Sequence, residues 1–319
     1  MPRITDPGEL FDAARAGDRG ALARLLSYVE RGGEQGRTVG RLAYPHSGQA
    51  YTVGLTGAPG AGKSTLTSST IGHLRSLDLD VAVLAIDPSS PFTGGAILGD
   101  RVRMQDHATD PGVFIRSMAT RGHLGGLSLA TPEAVRLLDA VGRRWVLVET
   151  VGVGQVEVEV AGKADTTVVV VNPGWGDSVQ ANKAGLMEIA DVFVINKADR
   201  NGVEETRRDL EQMLELSDLP HDAWRPPIVP TIASTGDGVA AVWDAINAHR
   251  AHAETSGELE RRRSFRSSEE LREIVTNRLR ERARDICTGD RWDQLTVEVV
   301  AQTTDPWTAA DEMLGGIQA

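Results

Sequence analysis

Between residues 50 and 252, short apolar runs rich in β-branched residues alternate with stretches of helical character. Seven runs are apolar on both faces, and they cover residues 51–56, 81–86, 113–115, 145–148, 167–171, 192–195 and 228–231. Strands of this kind are typical of a parallel sheet that helices cover on each side. Their alternation with helices predicts an α/β fold with a mostly parallel, doubly wound sheet, which we assign to a domain of residues 49–252.

A helical extension is predicted in front of this domain, over residues 1–48. A helix is expected to begin after Asp18, a suitable N-cap, and to end at Gly32. Its apolar positions recur at helical spacing, at Leu22, Leu25, Leu26 and Val29. A polar, glycine-rich connection is expected from Gly33 to about residue 48. We expect the extension to pack on the larger domain.

The region after the domain, residues 253–319, has a different character. Arginine and glutamate dominate from 254 to 284, with a narrow apolar stripe that predicts one or two amphipathic helices. A short strand is predicted over 295–300 and a helix over 306–314. Because so polar a region builds little core of its own, we expect it to pack on the α/β domain or on a second copy of itself.

Charge and cysteine content narrow the classes of partner. The 319 residues include 34 basic and 45 acidic side chains, a net charge of −11. A nucleic-acid or membrane-surface binder would present a basic face, so neither partner is expected. No apolar run approaches the ~18 residues of a transmembrane helix, and the amino terminus lacks the pattern of a signal peptide. With Cys287 as the single cysteine, the expected compartment is the cytoplasm.

A glycine-rich motif of the form G-x-x-x-x-G-K-[ST] follows the first predicted strand and precedes a helix. It consists of Gly57, Ala58, Pro59, Gly60, Ala61, Gly62, Lys63, Ser64 and Thr65. The glycines allow successive N–H groups to face one phosphate chain, and the helix N-terminus adds positive potential. Lys63 is suited to neutralise the outer phosphates, and the Ser64 hydroxyl to coordinate magnesium. An ordinary glycine-rich turn is the simpler alternative, and the strand–loop–helix context argues against it.

Carboxylates for a metal ion are expected at the ends of later strands. Glu149 and Gly152 occupy the places of the Asp-x-x-Gly motif found in most GTPases, with Glu149 on the metal and the Gly152 N–H on the γ-phosphate. Asp87 and Asp100 are candidates for the same Mg²⁺ or its waters. A solvent-facing glutamate and two loop caps are the alternatives. Gln155 lies three residues after the glycine, so it receives no water-orienting role.

The choice of nucleotide is predicted by Asn196-Lys197-Ala198-Asp199, which directly follows the strand at 192–195. Asp199 can accept hydrogen bonds from the ring N–H and exocyclic amine of guanine, whereas adenine offers neither donor. A buried, unsatisfied polar group costs roughly 1–3 kcal/mol, enough to exclude ATP. Lys197 is expected to lie over the base and brace the phosphate loop. The turn at Ala233, Ser234, Thr235 and Gly236 is expected to close over the base, with a backbone N–H contact from Ala233 or Ser234.

Two further polar loops are candidates for parts that move with the nucleotide state. The loop at 172–183 is glycine-rich and carries Lys183, which we include among the candidate catalytic residues. Arg121 and His123 lie in another glycine-rich loop, where anion binding, partner contact or plain solvation remain open. An ordinary connection to the next helix is the alternative for the first loop.

These motifs together resemble the MeaB/ArgK family of GTPases associated with methylmalonyl-CoA mutase, to which the human methylmalonic aciduria type A protein is similar. The resemblance rests on the motifs at 57–65, 87–90, 116–122, 149–155, 196–199 and 305–310. It implies a P-loop GTPase that binds GTP/GDP with Mg²⁺ and forms a homodimer largely through its C-terminal extension. It also implies that GTP binding and hydrolysis gate the delivery of adenosylcobalamin to the mutase, which the GTPase escorts and protects.

By matching residues, the resemblance assigns switch regions. Asp87 and Asp100 fall in the first, residues 149–155 in the second, and Gln180 and Lys183 in a third that couples to the mutase. The base-closing turn around Ser234 is compressed compared with the family pattern, which leaves its contact residue open.

Three other functions compete with this hypothesis. A small-molecule or protein kinase, the older annotation of the family, would produce a phosphorylated acceptor instead of free phosphate. A nickel-type metal-insertion GTPase would need clustered His or Cys ligands, and only His249 and His252 lie close in sequence. A scaffold that merely binds nucleotide would leave the hydrolytic residues without a role.

Overall fold

A computed structural model describes residues 5–87, 105–119, 126–150, 163–174, 188–216 and 223–315. Several predicted site residues lie outside these ranges: Asp100, Arg121, His123, Gly152, Gln155, Gln180 and Lys183. The chain divides into two compact units, residues 1–266 and 267–319. The division into three domains at residues 48 and 252 stays a prediction.

Seven strands form a single sheet among the described residues, in the order β3-β2-β4-β1-β5-β6-β7, and every neighbouring pair is parallel. From β1 to β7 they are Tyr51–Gly57, Val81–Asp87, Val113–Ala119, Trp145–Thr150, Thr166–Val171, Val192–Asn196 and Ile228–Thr231. The predicted doubly wound α/β fold is confirmed. The chain extends to one side of β1 for β2–β4 and to the other for β5–β7, so ligands are expected at the carboxyl end of β1.

Ten α-helices lie in the part of the chain that the structure describes. From α1 to α10 they are Pro7–Arg15, Arg19–Arg31, Gly33–Ala43, Lys63–Ser76, Gly126–Ala140, Val203–Leu216, Val239–Thr255, Glu258–Ile286, Asp290–Val300 and Pro306–Gly315. Helices α4 and α7 cover one face of the sheet, where Leu66 and Trp243 pack on Leu55 in one apolar cluster. The other face is covered by α1–α3 and α5 over β2–β4, and by α6 over β5 and β6. None of the described helices has the length and apolarity to span a bilayer.

The N-terminal extension contains three helices instead of one helix and a connection. Asp18 caps α2 as predicted, accepting from the N–H groups of Gly20 and Ala21. The expected loop after Gly33 is wrong, because α3 occupies Gly33–Ala43. Gly36 explains the difference: a Cβ there would lie 2.9 Å from the Tyr28 carbonyl oxygen of α2. Its glycine permits close helix packing and does not mark a loop.

All the regular secondary structure described in the C-terminal region is helical. The segment predicted as one or two helices is the single 29-residue helix α8, and the predicted tail helix is confirmed as α10. The strand predicted over 295–300 is wrong, because these residues end helix α9. Only Leu295 is buried there, while Val297 and Val300 are exposed, and no strand is described in this unit for the segment to pair with. Without a pairing partner, a β-branched run gains little as a strand.

An ion-pair network holds the start of α8 against the amino-terminal edge of the sheet. Asp165, just before β5, binds Arg263 with the Nη2 and Oδ2 atoms 2.6 Å apart, and it also binds Arg266. Asp191, just before β6, accepts two hydrogen bonds from Arg262 at 2.9 and 3.0 Å. Both aspartates are buried. The network lies at the edge of the sheet opposite the glycine-rich loop.

Candidate functional site

The glycine-rich loop connects the carboxyl end of β1 to the first residue of α4, Lys63. Its backbone depends on glycine: φ is +136° at Gly57, +73° at Gly60 and +97° at Gly62. A Cβ at Gly57 would lie 2.0 Å from the Val170 carbonyl oxygen of the neighbouring strand. L-residues with side chains rarely adopt these angles, so the loop curls where other residues would be strained. The N-terminus of a 14-residue helix thus faces the loop.

Lys63 lies inside the curl of this loop and is buried. Its Nζ donates to the Gly57 carbonyl oxygen at 2.6 Å and to that of Ala58 at 3.4 Å. The loop therefore concentrates positive charge and helix-dipole potential at one point, a site suited to a chain of phosphates.

Ser64 and Glu149 meet beside the loop. The Ser64 hydroxyl donates to Glu149 Oε1 at 2.6 Å, and Glu149 is fully buried at the end of β4, in register with Leu55 of β1. The alternative of a solvent-facing glutamate is therefore wrong. A hydroxyl and a carboxylate are hard oxygen ligands of the kind Mg²⁺ prefers. Within the described ranges, no three His, Cys, Asp or Glu residues form a metal-binding group. Asp87 is the last residue of β2.

The Asn-Lys-x-Asp segment begins at the last residue of β6 and is bound to the loop by two side chains. Asn196 is buried, and its Nδ2 donates to the Ala61 carbonyl oxygen at 2.8 Å. Lys197 has a φ of +58°, and its Nζ donates to the Gly60 carbonyl oxygen at 2.6 Å. Asp199 is exposed to solvent and thus accessible to a ligand. The structure brings the two predicted motifs together, although Ala61 and Asn196 are 135 positions apart in sequence.

The turn after β7 is the third part of the site. Asn196 Oδ1 accepts from the Ala233 N–H at 3.0 Å and from Thr231 Oγ1 at 3.2 Å. Ala233 is buried, whereas Ser234, Thr235 and Gly236 are exposed. An isolated bridge between Ile232 and Asp237 closes the turn. Of the four residues predicted here, one packs inward and three face solvent beside the Asn-Lys-x-Asp segment.

Sequence reasoning missed residues that hold the turn in place. Thr231 binds Asn196, and Ser69 of α4 donates to the Ala233 carbonyl oxygen at 2.5 Å. Thr235 Oγ1 donates to Asp237 Oδ2 at 2.7 Å. Ser69 and Asp237 belong to no recognisable motif. Thr235 lies in the predicted turn itself, and Thr231 lies just before that turn at the end of β7.

The geometry favours a ligand with a phosphate chain at one end and a hydrogen-bonding ring at the other. Glycine-rich backbone, Lys63 and Ser64 suit the phosphates. Asp199 and the exposed part of the 233–236 turn suit a planar ring with donors and an acceptor. Since Asn196 binds both the loop and the turn, the two ends of the site form one connected unit.

A family model described as "Methylmalonyl Co-A mutase-associated GTPase MeaB" matches residues 22–287. A Pyrococcus abyssi protein with a GTPase designation is 50% identical over 314 residues, which cover 97% of each chain. GTPase ArgK of Escherichia coli is 39% identical over 265 residues, covering 81% of this chain and 80% of that protein. The methylmalonic aciduria type A homolog of Mus musculus is 38% identical over 216 residues, 67% of this chain and 52% of that protein.

Solved structures agree with the fold. The crystal structure of an LAO/AO transport system kinase covers 100% of both chains with a TM-score of 0.72 at 27% sequence identity. HypB from Helicobacter pylori, in complex with nickel, reaches only 0.46 at 15% identity. A likeness that low carries no functional argument.

Proposed function

The chain belongs to the MeaB family of methylmalonyl-CoA mutase-associated GTPases, and from that premise we propose that it is a G-protein chaperone of an adenosylcobalamin-dependent methylmalonyl-CoA mutase. In this role, GTP binding and hydrolysis gate cofactor delivery and protect the mutase. The observation that carries the proposal is the joined site, in which Asn196 binds the phosphate loop and the turn after β7. The family name and the mouse relative support the choice of client.

We assign the phosphate end of GTP to the loop at 57–65. Lys63 stabilises negative charge on the outer phosphates, and the backbone N–H groups at the start of α4 bind their oxygens. Catalysis on this arrangement is positioning and charge stabilisation, without a covalent intermediate. We expect slow hydrolysis until a partner orders the remaining groups.

We propose that Ser64 and Glu149 help to hold Mg²⁺, with Asp87 or Asp100 as a further carboxylate. The 2.6 Å contact between the Ser64 hydroxyl and the buried Glu149 supports the choice of ligands. When bound, Mg²⁺ supplies positive charge to the phosphate oxygens. Ser64 and Glu149 orient the groups around it.

We assign the guanine ring to Asp199 and the turn at 233–236. Asp199 accepts from the ring N–H and the exocyclic amine, and a backbone N–H of the turn donates to the 6-oxo group. Adenine would leave the carboxylate without a donor and set its own amine against the backbone N–H, so ATP is expected to bind poorly.

We further propose a homodimer formed through the C-terminal helices. Leu271, Val275 and Leu279 follow one another at four-residue spacing on α8 and are 62%, 49% and 61% exposed. Apolar side chains four residues apart lie on the same face of a helix. Such a stripe is suited to bury itself against the same stripe of a second copy.

A kinase activity is the competing function, since the solved structure with the TM-score of 0.72 carries a kinase title. A kinase transfers the γ-phosphate to an acceptor and yields a phosphorylated product. A GTPase transfers it to water and yields inorganic phosphate. Release of inorganic phosphate in equal amount to GDP supports the GTPase. Label from γ-³²P-GTP retained on a small molecule or protein supports the kinase.

The proposal is tested by GTP hydrolysis with and without purified methylmalonyl-CoA mutase, with ATP as the nucleotide control. Stimulation of GTP turnover by the mutase, with ATP inert, is the expected result. The Lys63→Ala variant serves as the matched control and should show neither tight binding nor stimulation. A rate of GTP hydrolysis that the mutase does not change would refute the mutase as the client, while the GTPase activity itself would stand.

A further inference from the structure

Ser69 connects the phosphate side of the site to its base side. It lies on α4, six residues after Lys63, and its hydroxyl donates to the Ala233 carbonyl oxygen at 2.5 Å. The two residues are 164 positions apart in sequence. Helix α4 begins at the phosphate loop, and Ala233 lies in the turn after β7. The bond therefore fixes the turn directly to the helix that carries the phosphate-binding lysine.

The hydroxyl of Ser69 makes a different contact from those of Thr67 and Ser76 on the same helix. Thr67 Oγ1 donates back to the Lys63 carbonyl oxygen, and Ser76 Oγ donates to that of His73. Such bonds to the preceding turn are the common fate of Ser and Thr in helices. Ser69 donates across to the turn instead. Its hydroxyl thus contributes to tertiary structure at the nucleotide site.

The carbonyl that Ser69 binds controls the direction of a neighbouring donor. The peptide group between Ala233 and Ser234 is planar, and in a trans peptide the N–H points away from the C=O. Fixing the Ala233 carbonyl toward α4 therefore directs the Ser234 N–H away from α4. The Ala233 N–H is fixed as well, because it donates to Asn196 Oδ1 at 3.0 Å. Both backbone groups of Ala233 are held, and the exposed edge of the turn becomes a rigid donor surface.

We propose that Ser69 is a positioning residue for guanine recognition, which holds the 233–234 backbone where it donates to the 6-oxo group of the base. The inference rests on the proposed GTP site and adds a determinant that no motif contains. Ser69 touches neither the base nor the phosphates in this role. It acts through the Ala233 carbonyl.

The affinities for GDP, IDP and ADP distinguish a role of Ser69 in guanine recognition from a general role in supporting the phosphate loop. GDP and IDP both carry the 6-oxo group, and only GDP carries the exocyclic amine assigned to Asp199; ADP carries a 6-amino group. Dissociation constants are measured by competition against a fluorescent GDP analogue. Ser69→Ala should weaken GDP and IDP by the same factor, about 3–10-fold for one lost hydrogen bond, and leave ADP unchanged. The KM for GTP should rise, with kcat at saturation unchanged.

Ser76→Ala is the matched control, since it removes an exposed hydroxyl from the same helix and should change none of these values. Ser69→Thr retains a hydroxyl donor and should restore GDP affinity. Ser69→Cys nearly preserves the side-chain volume but replaces the hydroxyl with a thiol, which is a weaker hydrogen-bond donor. It serves as the test variant if Ser69→Ala folds poorly.

Two outcomes overturn the inference. Equal weakening of GDP, IDP and ADP would mean that Ser69 supports the phosphate loop alone, and unchanged affinities would mean that the bond has no role in binding. A wild-type protein that does not prefer GDP over ADP refutes the proposed guanine site before any variant is measured. The experiment therefore distinguishes failure of the proposed guanine site from failure of the positioning role of Ser69.

Discussion

At the scale of single residues, Asn196 joins the parts of the proposed nucleotide site. Its amide donates to Ala61 in the phosphate loop, and its oxygen accepts from Thr231 and Ala233 in the turn after β7. An amide supplies donors and an acceptor on one side chain, which no carboxylate or ammonium group can do. The bonds to the loop and to the turn therefore explain why an amide side chain occupies this position.

Asp199→Asn is expected to change base selectivity. The amide retains one acceptor and adds an NH₂ donor, so guanine loses one hydrogen bond while the 2-oxo group of xanthine gains one. GDP affinity should fall at least tenfold and XDP affinity should rise, as measured by competition against a fluorescent nucleotide. Glu211→Gln, on an exposed position of α6, is the control. A variant with the wild-type preference for GDP over XDP would contradict the assignment of Asp199.

The Gly62→Ala substitution tests the close contact between the phosphate loop and Asn196 of the Asn-Lys-x-Asp segment. A Cβ at Gly62 would lie 2.2 Å from Asn196 Nδ2, whereas one at Gly60 would meet nothing within 4 Å. Both positions have positive φ, so both substitutions carry backbone strain of about 1–3 kcal/mol. The clash adds to that strain only at Gly62. We expect the thermal midpoint of nucleotide-free protein, measured by calorimetry, to be clearly lower for Gly62→Ala than for Gly60→Ala. Equal midpoints would show that the close contact between Gly62 and Asn196 does not affect stability.

Local motifs and long-range contacts differ in how far sequence predicts them. The phosphate loop and the Asn-Lys-x-Asp segment follow from residue type and spacing within nine or four positions, so they were found. The bond from Ser69 to Ala233 depends on the packing of α4 against the turn after β7, which no local pattern encodes. A serine inside a helix carries no sign of the partner that its hydroxyl will meet.

At the scale of helices and strands, composition was misleading in two segments. Glycines at 33, 36 and 40 predicted a connection, but Gly36 sits where α3 approaches the backbone of α2. Valines at 297, 299 and 300 predicted a strand, but a strand needs a neighbour in register. The strands of the sheet were predicted because most contain short apolar runs, and β1, β4, β5 and β6 are buried along their whole length. The hydrophobic pattern of the sequence thus indicates which residues are buried, but it does not show whether a segment has a neighbouring strand to pair with.

The attachment of α8 to the sheet should depend on Asp165. Burial raises the pKa of this carboxyl, but the hydrogen bond from Arg263 and the charges of Arg266 and Arg263 outweigh it, so the pKa is lowered overall. Asp165→Asn removes the charge that these arginines share. Breaking a buried pair costs about 3–5 kcal/mol, and we expect about 2–3 kcal/mol here because the arginines stay partly hydrated.

The measurement for Asp165→Asn is the thermal midpoint at pH 7, which should fall by about 5–10 °C. Glu254→Gln is the matched control, since its pair with Arg250 is exposed and should contribute little. The carboxylate's contribution is present above the ordinary Asp pKa of 3.8 and is lost as the pH falls below it, so wild type and variant should converge in acid. Identical midpoints at pH 7 would show that the network does not stabilise the fold.

At the scale of the whole molecule, the proposed nucleotide site and the proposed dimer interface lie in different compact units. The loop at 57–65, the segment at 196–199 and the turn at 233–236 all lie in the unit of residues 1–266. The apolar stripe of α8 lies in the unit of residues 267–319. Substitutions in the stripe should therefore change the number of chains in the assembly without changing the affinity for GDP.

Leu271→Glu combined with Leu279→Glu should convert the proposed dimer into a monomer. Burying two carboxylates opposite their own copies costs more than two apolar contacts contribute, because unpaired charges lose their hydration. Sedimentation velocity should show one chain for the double variant and two for the wild type, with GDP affinity equal in both. Asn277→Glu, on the opposite face of the same helix, adds a charge without touching the stripe and should stay dimeric. A double variant that sediments as two chains would exclude this stripe from the interface, because two facing pairs of carboxylates cannot remain desolvated there.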